Sequence, residues 1–159
     1  LGYCASADDV YLAARGLRTL DVRLKQHQRN ALAVVEWLQQ QPQVDHIRHP
    51  ALPEHPGHAA FNRDFSGSNG LFSFVLKQGT AQAVAALIEG MQFFKMGFSW
   101  GGYESLITAN LQVQALRTAT HWPYSGPLIR LHIGLEDPAD LIADLALALA
   151  RFDQVMQKS

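Results

Sequence analysis

Apolar residues return every three or four positions over the first forty residues. Val10, Ala13, Leu17, Leu20, Leu24, Ala31, Val34 and Leu38 keep that step, with His27 in the same row. The spacing draws one stripe along an α-helix and predicts a long helix over about residues 8–41. Asp8 and Asp9 suit its start, where the helix dipole favours negative charge, and Pro42 stops it. Gly16 costs roughly 1 kcal/mol relative to alanine, which a helix this long tolerates. So long a helix exceeds what one small domain needs. Its first half reads as a connector that packs on other structure, or as an exposed end frayed at Gly16.

The period then shortens. Residues 44–49 form a short predicted strand, followed by a proline-rich loop over 49–60. From Gly70 to Lys77, Leu71, Ser73 and Val75 alternate with Phe72, Phe74 and Leu76, the period of a strand. Residues 80–91 read as a helix with Thr80 as its cap, and 93–98 and 127–135 as further strands. A closing helix follows, with Asp137 as cap, Pro138 in its first turn and Leu141, Leu145 and Leu149 in one apolar row. The order predicts an α+β domain: a mainly antiparallel sheet with helices packed on one face, in two layers. Residues 1–41 are the long connecting helix and 42–159 the domain.

Composition narrows the class. The 159 residues are 48% apolar and 17% charged, with net charge −1, which describes one ordinary globular domain. That balance gives no electrostatic footprint for nucleic acid or an anionic membrane. No apolar run approaches the roughly 18 residues of a membrane span. A single cysteine, Cys4, forms no internal disulfide and suggests a reducing, cytoplasmic setting. The chain starts at Leu1 without a signal-peptide pattern, and the expectation is that it is part of something longer.

Three groups of residues carry candidate chemistry. Gly97-Phe98-Ser99-Trp100-Gly101 satisfies the G-x-S-x-G pattern of a nucleophile elbow, with a strand before and a helix roughly in place after. The chain order of partners fails: between Ser99 and the later histidines, His121 and His132, the only acid is Glu104, in the same local segment. Ser99 is therefore not a convincing nucleophile. His46, His49, His55 and His58 form two H-x-x-H pairs. Zinc needs three or four converging ligands, and the prolines among these histidines favour solvated loop residues over a metal site. Arg130 is better defined. Alternation puts Ile129, Leu131, Ile133 and Leu135 on the core face, and Arg130 with Leu128, His132 and Gly134 on the other. A mid-strand arginine is costly unless it is paired or lines a cavity. Its planar fork fits a carboxylate; an internal salt bridge or an edge strand in water would equally explain it.

The segments FSWGGYESL (98–106) and IRLHIGLEDPADLIADL (129–145), with RGLRTLDVRLKQH (15–27) and FSGSNGLFSFVL (65–76), stand in an order that resembles the carboxyl-terminal domain of the pyridoxal-phosphate-dependent Cys/Met metabolism enzymes. The resemblance covers nearly the whole chain. The Trp100 form of the serine loop is similar to that of bacterial cystathionine β-lyases. It implies the carboxyl-terminal domain of a fold-type I enzyme with pyridoxal phosphate as cofactor. It also implies that Ser99, Trp100 and Arg130 bind the α-carboxylate of the substrate, L-cystathionine. Phe98 departs from the tyrosine expected there, and Glu104 and Ser105 are expected to serve loop structure. Ser and Trp offer only a hydroxyl and an indole N–H to such an anion, and Gly101 and Gly102 allow close backbone approach.

None of Lys25, Lys77, Lys95 and Lys158 sits in the family's Schiff-base setting. No catalytic or cofactor-binding residue is therefore assigned within the chain, and the cofactor domain is expected upstream of residue 1. The resemblance further implies a homo-oligomeric lyase of methionine biosynthesis that yields homocysteine, pyruvate and ammonia, and a chain inert when alone. A desulfhydrase, γ-lyase or γ-synthase of the same family is the alternative, as is a non-catalytic amino-acid-binding module.

Overall fold

A computed structural model describes residues 2–116 and 121–158. Two helices open it, α1 (Ala7–Leu17) and α2 (Leu20–Leu38), followed by β1 (Val44–Arg48), α3 (His58–Asp64) and β2 (Leu71–Leu76). Then come α4 (Ala81–Ile88), β3 (Lys95–Met96), β4 (Leu106–Asn110), α5 (Val113–Leu116), β5 (Leu128–His132) and α6 (Pro138–Met156). The strands form one sheet in the order β1-β2-β5-β4-β3. All neighbours are antiparallel except β3 and β4, which run parallel.

The alternation along β5 places Ile129, Leu131 and Ile133 in the core, with no exposure. Phe72, Phe74 and Leu76 of β2 and Ile107 of β4 extend the same face. Ala31, Val34 and Leu38 of α2, Val84 and Leu87 of α4, and Leu141, Leu145, Leu149 and Phe152 of α6 cover it. Asp137 caps α6 by accepting from the Ala139 N–H at 2.8 Å, and Thr80 caps α4 through Ala83 N–H at 3.2 Å. Helices on one face of a mainly antiparallel sheet are the α+β arrangement expected. The other face is divided: Val75, Val113 and Trp122, with Tyr124 and Leu128, cover one end, and Arg130 and His132 occupy the other.

The opening helix is not continuous. It breaks at Arg18 and Thr19, where Thr19 leaves helical geometry with φ −113° and ψ 8°. The Gly16 carbonyl accepts from Thr19 N–H at 3.2 Å and from the Arg23 guanidinium at 2.6 Å. Those donors take the acceptor that an unbroken helix would use four residues on. The predicted stripe divides there: His27, Ala31, Val34 and Leu38 are buried, while Val10, Leu17 and Leu20 are exposed. No residue of α1 is buried. The strand expected over 93–98 shrinks to Lys95–Met96, the proline-rich loop ends in α3, and β4 joins the sheet unpredicted.

Candidate functional site

Arg130 sits on the middle strand of five, flanked by Ser73 on β2 and Thr108 on β4. That position removes the edge-strand explanation. Among the described residues the ion pairs are Lys25–Asp21 and Arg63–Asp64, and neither involves Arg130. The guanidinium instead donates through Nη2 to the Phe98 carbonyl at 2.7 Å, and its carbon lies 5.8 Å from the centre of the Phe98 ring. One edge of the fork is thus fixed by a backbone oxygen, and no carboxylate among the described residues takes the rest.

The serine loop hangs over this arginine. Ser99 is exposed, and Phe98 and Trp100 are 83% and 57% exposed. Gly101 adopts φ +87°, a left-handed conformation open to glycine. His132, two residues beyond Arg130 on the same face, holds the loop from below. Its Nε2 lies 2.9 Å from the Gly102 carbonyl and therefore donates, and the Gly101 N–H approaches the same ring, 3.2 Å from Nε2 and 3.4 Å from Nδ1. Burial holds the His132 imidazole below its ordinary pKa. The Gly102 hydrogen bond and Glu136 oppose that shift, while His27 and Arg130 add to it.

The far end of the loop is held by Glu136. Its carboxylate accepts from Ser105 N–H at 2.7 Å and from the Ser105 hydroxyl at 2.8 Å, and Ser105 Oγ accepts from Gly134 N–H at 2.9 Å. Gly134 has to be glycine there, because a Cβ would run into the Tyr103 carbonyl oxygen and the Glu136 carboxylate. From α2, Asn30 donates to the Gly134 and Glu136 carbonyls at 3.1 and 2.9 Å, and His27 Nδ1 donates to the Ile133 carbonyl at 2.8 Å. The core helix, the end of β5 and the serine loop are one hydrogen-bonded unit. Ser105 thus has the loop role expected of it. Sequence reasoning missed Asn30 and Glu136; it had placed His132 beside Arg130 without giving it a task.

The elbow pattern has no elbow structure. Ser99 is followed by a loop and then β4, where a helix was expected, and no described non-glycine residue has positive φ. No histidine or acid among the described residues hydrogen-bonds Ser99, so the nucleophile reading ends here. The four clustered histidines have separate occupations. His46 stacks on Tyr124, His49 Nδ1 accepts from Ala51 N–H, and His55 Nδ1 accepts from Gly57 N–H. His58 donates through Nδ1 to the Pro50 carbonyl and accepts at Nε2 from Asn62.

Fold and site together define an α+β domain whose central-strand arginine lies beside an exposed, tethered loop. Residues 1–150 match the family described as Cys/Met metabolism PLP-dependent enzyme, and the chain belongs to that family. It is 51% identical over 154 residues to the cystathionine beta-lyase of Salmonella typhimurium, covering 95% of this chain and 39% of that protein. The figures for cystathionine beta-lyase MetC of Escherichia coli are the same. Among solved structures, a cystathionine gamma synthase of Xanthomonas oryzae pv. oryzae in complex with cystathionine superimposes with a TM-score of 0.81 at 39% identity. That match covers 94% of this chain and 40% of the other. The chain thus spans about two fifths of the relatives it matches.

Pyridoxal phosphate is the cofactor of the family, and the described residues do not fit a cradle for it. A Schiff base needs a lysine, and Lys25, Lys77, Lys95 and Lys158 are all exposed. Lys25 pairs with Asp21, and Lys95 donates to the Gln92 carbonyl at 2.8 Å. At the starts of α4 and α6 a cap side chain already accepts from one of the N–H groups, and Asp137 adds negative charge where a phosphate would sit. No described helix is long and apolar enough to cross a membrane.

Proposed function

We propose that this chain is the substrate-carboxylate-binding part of a cystathionine β-lyase. That enzyme opens the carbon–sulfur bond of L-cystathionine to give homocysteine, pyruvate and ammonia. In this reading Arg130 grips the α-carboxylate, with Ser99 and Trp100 donating from above. Pyridoxal phosphate is held by chain outside these 159 residues, and the working enzyme is a cytoplasmic homo-oligomer. One observation carries the assignment: a guanidinium on the central strand, fixed by the Phe98 carbonyl, with no carboxylate partner among the described residues. A buried or half-buried arginine left so is a receptor for an anion from outside the fold. The identity to two β-lyases supports the choice of reaction.

The second reading is γ-elimination or γ-synthesis in the same family, favoured by the likeness to the Xanthomonas synthase. Purified full-length protein incubated with L-cystathionine separates them. β-Elimination releases pyruvate with homocysteine, whereas γ-elimination releases 2-oxobutyrate with cysteine. Pyruvate is the expected keto acid. 2-Oxobutyrate as the main product selects the second reading, and neither product from a cofactor-loaded protein ends both. The 159-residue chain by itself is expected to yield no keto acid and no saturable Schiff-base absorbance with pyridoxal phosphate.

A further inference from the structure

We propose that His132 is a positioning residue for the carboxylate site: it sets the Ser99–Trp100 loop over Arg130, and does so only as a neutral imidazole. The proposal rests on the carboxylate-binding reading above. Its basis is a two-point grip. Nε2 donates to the Gly102 carbonyl at 2.9 Å, and the Gly101 N–H points at the ring, 3.2 Å from Nε2 and 3.4 Å from Nδ1. Gly101 and Gly102 directly follow Trp100, and an added Cβ at either would meet nothing within 4 Å. The loop there has no packing of its own, so the imidazole supplies the restraint that packing supplies elsewhere.

A doubly protonated ring has donors at both nitrogens. It keeps the bond to Gly102 but offers the Gly101 N–H a positive charge and no lone pair, and the grip becomes a repulsion. His132 is 3% exposed, so little water reaches the ring to solvate the added charge. The groups that face it set where this happens. His27 from α2 lies 5.3 Å away between ring centres; Arg130 sits on its own strand, and Glu136 follows on the loop to α6. Burial, His27 and Arg130 disfavour the charged form, while Glu136 and the Gly102 bond favour it. The balance places protonation below the ordinary imidazole range near about pH 6.5. The loop is therefore held at neutral pH and released on acidification.

The test uses the full-length protein as wild type, His132→Gln and His132→Leu. Glutamine keeps a donor for Gly102 but cannot titrate; leucine removes both bonds. Two net hydrogen bonds correspond to a rise in KM of roughly five- to a hundredfold in His132→Leu, with kcat much less affected. Without substrate, the fluorescence of Trp100 is taken as the difference from the matching Trp100→Phe protein. In wild type its quenching by iodide should rise as pH falls from about 8 to about 5, and in His132→Gln it should stay flat. If His132→Leu does not fold, the wild-type and His132→Gln titrations still decide. A flat wild-type titration, an equal titration in His132→Gln, or an unchanged KM in His132→Leu overturns the proposal. The fluorescence reads the loop with no substrate present. A normal kcat/KM in Arg130→Ala would therefore sink the carboxylate reading without touching this result.

Discussion

The guanidinium of Arg130 hydrogen-bonds the backbone carbonyl of Phe98 at 2.7 Å and lies against the face of the same residue's ring. One residue of the serine loop thus orients the arginine twice, by a backbone oxygen that any residue would supply and by a ring that only an aromatic would. If Arg130 binds the carboxylate as proposed, the carbonyl contact leaves the other fork positions for it, and the fork is arranged before that ligand arrives.

Arg130→Ala in the full-length protein would leave a bound carboxylate without its partner. Truncating one member of a buried, hydrogen-bonded charge pair costs roughly 2–5 kcal/mol. That corresponds to a fall in kcat/KM of about thirty-fold to several thousand-fold. Arg130→Lys should recover only part of the loss, because an ammonium keeps the charge but not the fork. Thermal unfolding should change little, since Ile129, Leu131 and Ile133 carry the packing. Near-normal kcat/KM in Arg130→Ala would show the arginine to be structural.

Ser99 should behave as a donor. Organophosphate reagents are expected to leave it unlabelled, as no base among the described residues hydrogen-bonds it. Ser99→Ala should weaken substrate use by the worth of one hydrogen bond to a charged group, roughly ten- to a hundredfold in kcat/KM. Turnover should persist. Mass spectrometry after reagent treatment is the direct check, and a covalent adduct on Ser99 would contradict the assignment.

Much of this was legible in the chain because some signals are local. Asp137 and Pro138 announce α6, and the alternation around Arg130 gives both faces of β5. Other features depend on contacts the period does not contain. The helix break at Thr19 follows from Arg23 reaching the Gly16 carbonyl seven residues back. In β4 only Ile107 is fully buried, so there is no alternation to read. Asn30 joins the site by bonds that span more than a hundred positions. The role of His132 needed the loop to be folded back over the sheet, which brings Gly102 to a residue thirty positions away.

Asp144 is expected to be a stability determinant. It lies on α6, is 4% exposed, and accepts from the N–H groups of Gln92, Phe93 and Phe94, the shortest at 2.8 Å. It thereby fastens the turn that leads into β3 and the serine loop. Asp144→Asn keeps the shape but turns an NH2 towards backbone donors. A loss of about 1–3 kcal/mol in urea unfolding is the expected size. A midpoint and slope equal to wild type would mean the three N–H groups are satisfied by water.

Stability should also fall on mild acidification, with His49 as one cause. The ring is 1% exposed, and burial, then the neighbouring His55, hold its pKa below the ordinary value. The sign follows from proton counting: an unfolded chain takes up the proton near about pH 6.5, while the folded ring stays neutral to lower pH. Between those two values the unfolded state binds more protons, so unfolding free energy decreases as pH falls. It levels once the folded ring also protonates. His55 and His132, shifted in the same direction, contribute to the same slope. His49→Gln has no proton to gain, and its urea-unfolding free energy should decline less between about pH 7 and pH 5 than that of wild type. Parallel pH profiles for the two proteins would show that His49 takes up its proton equally well in the folded and unfolded states.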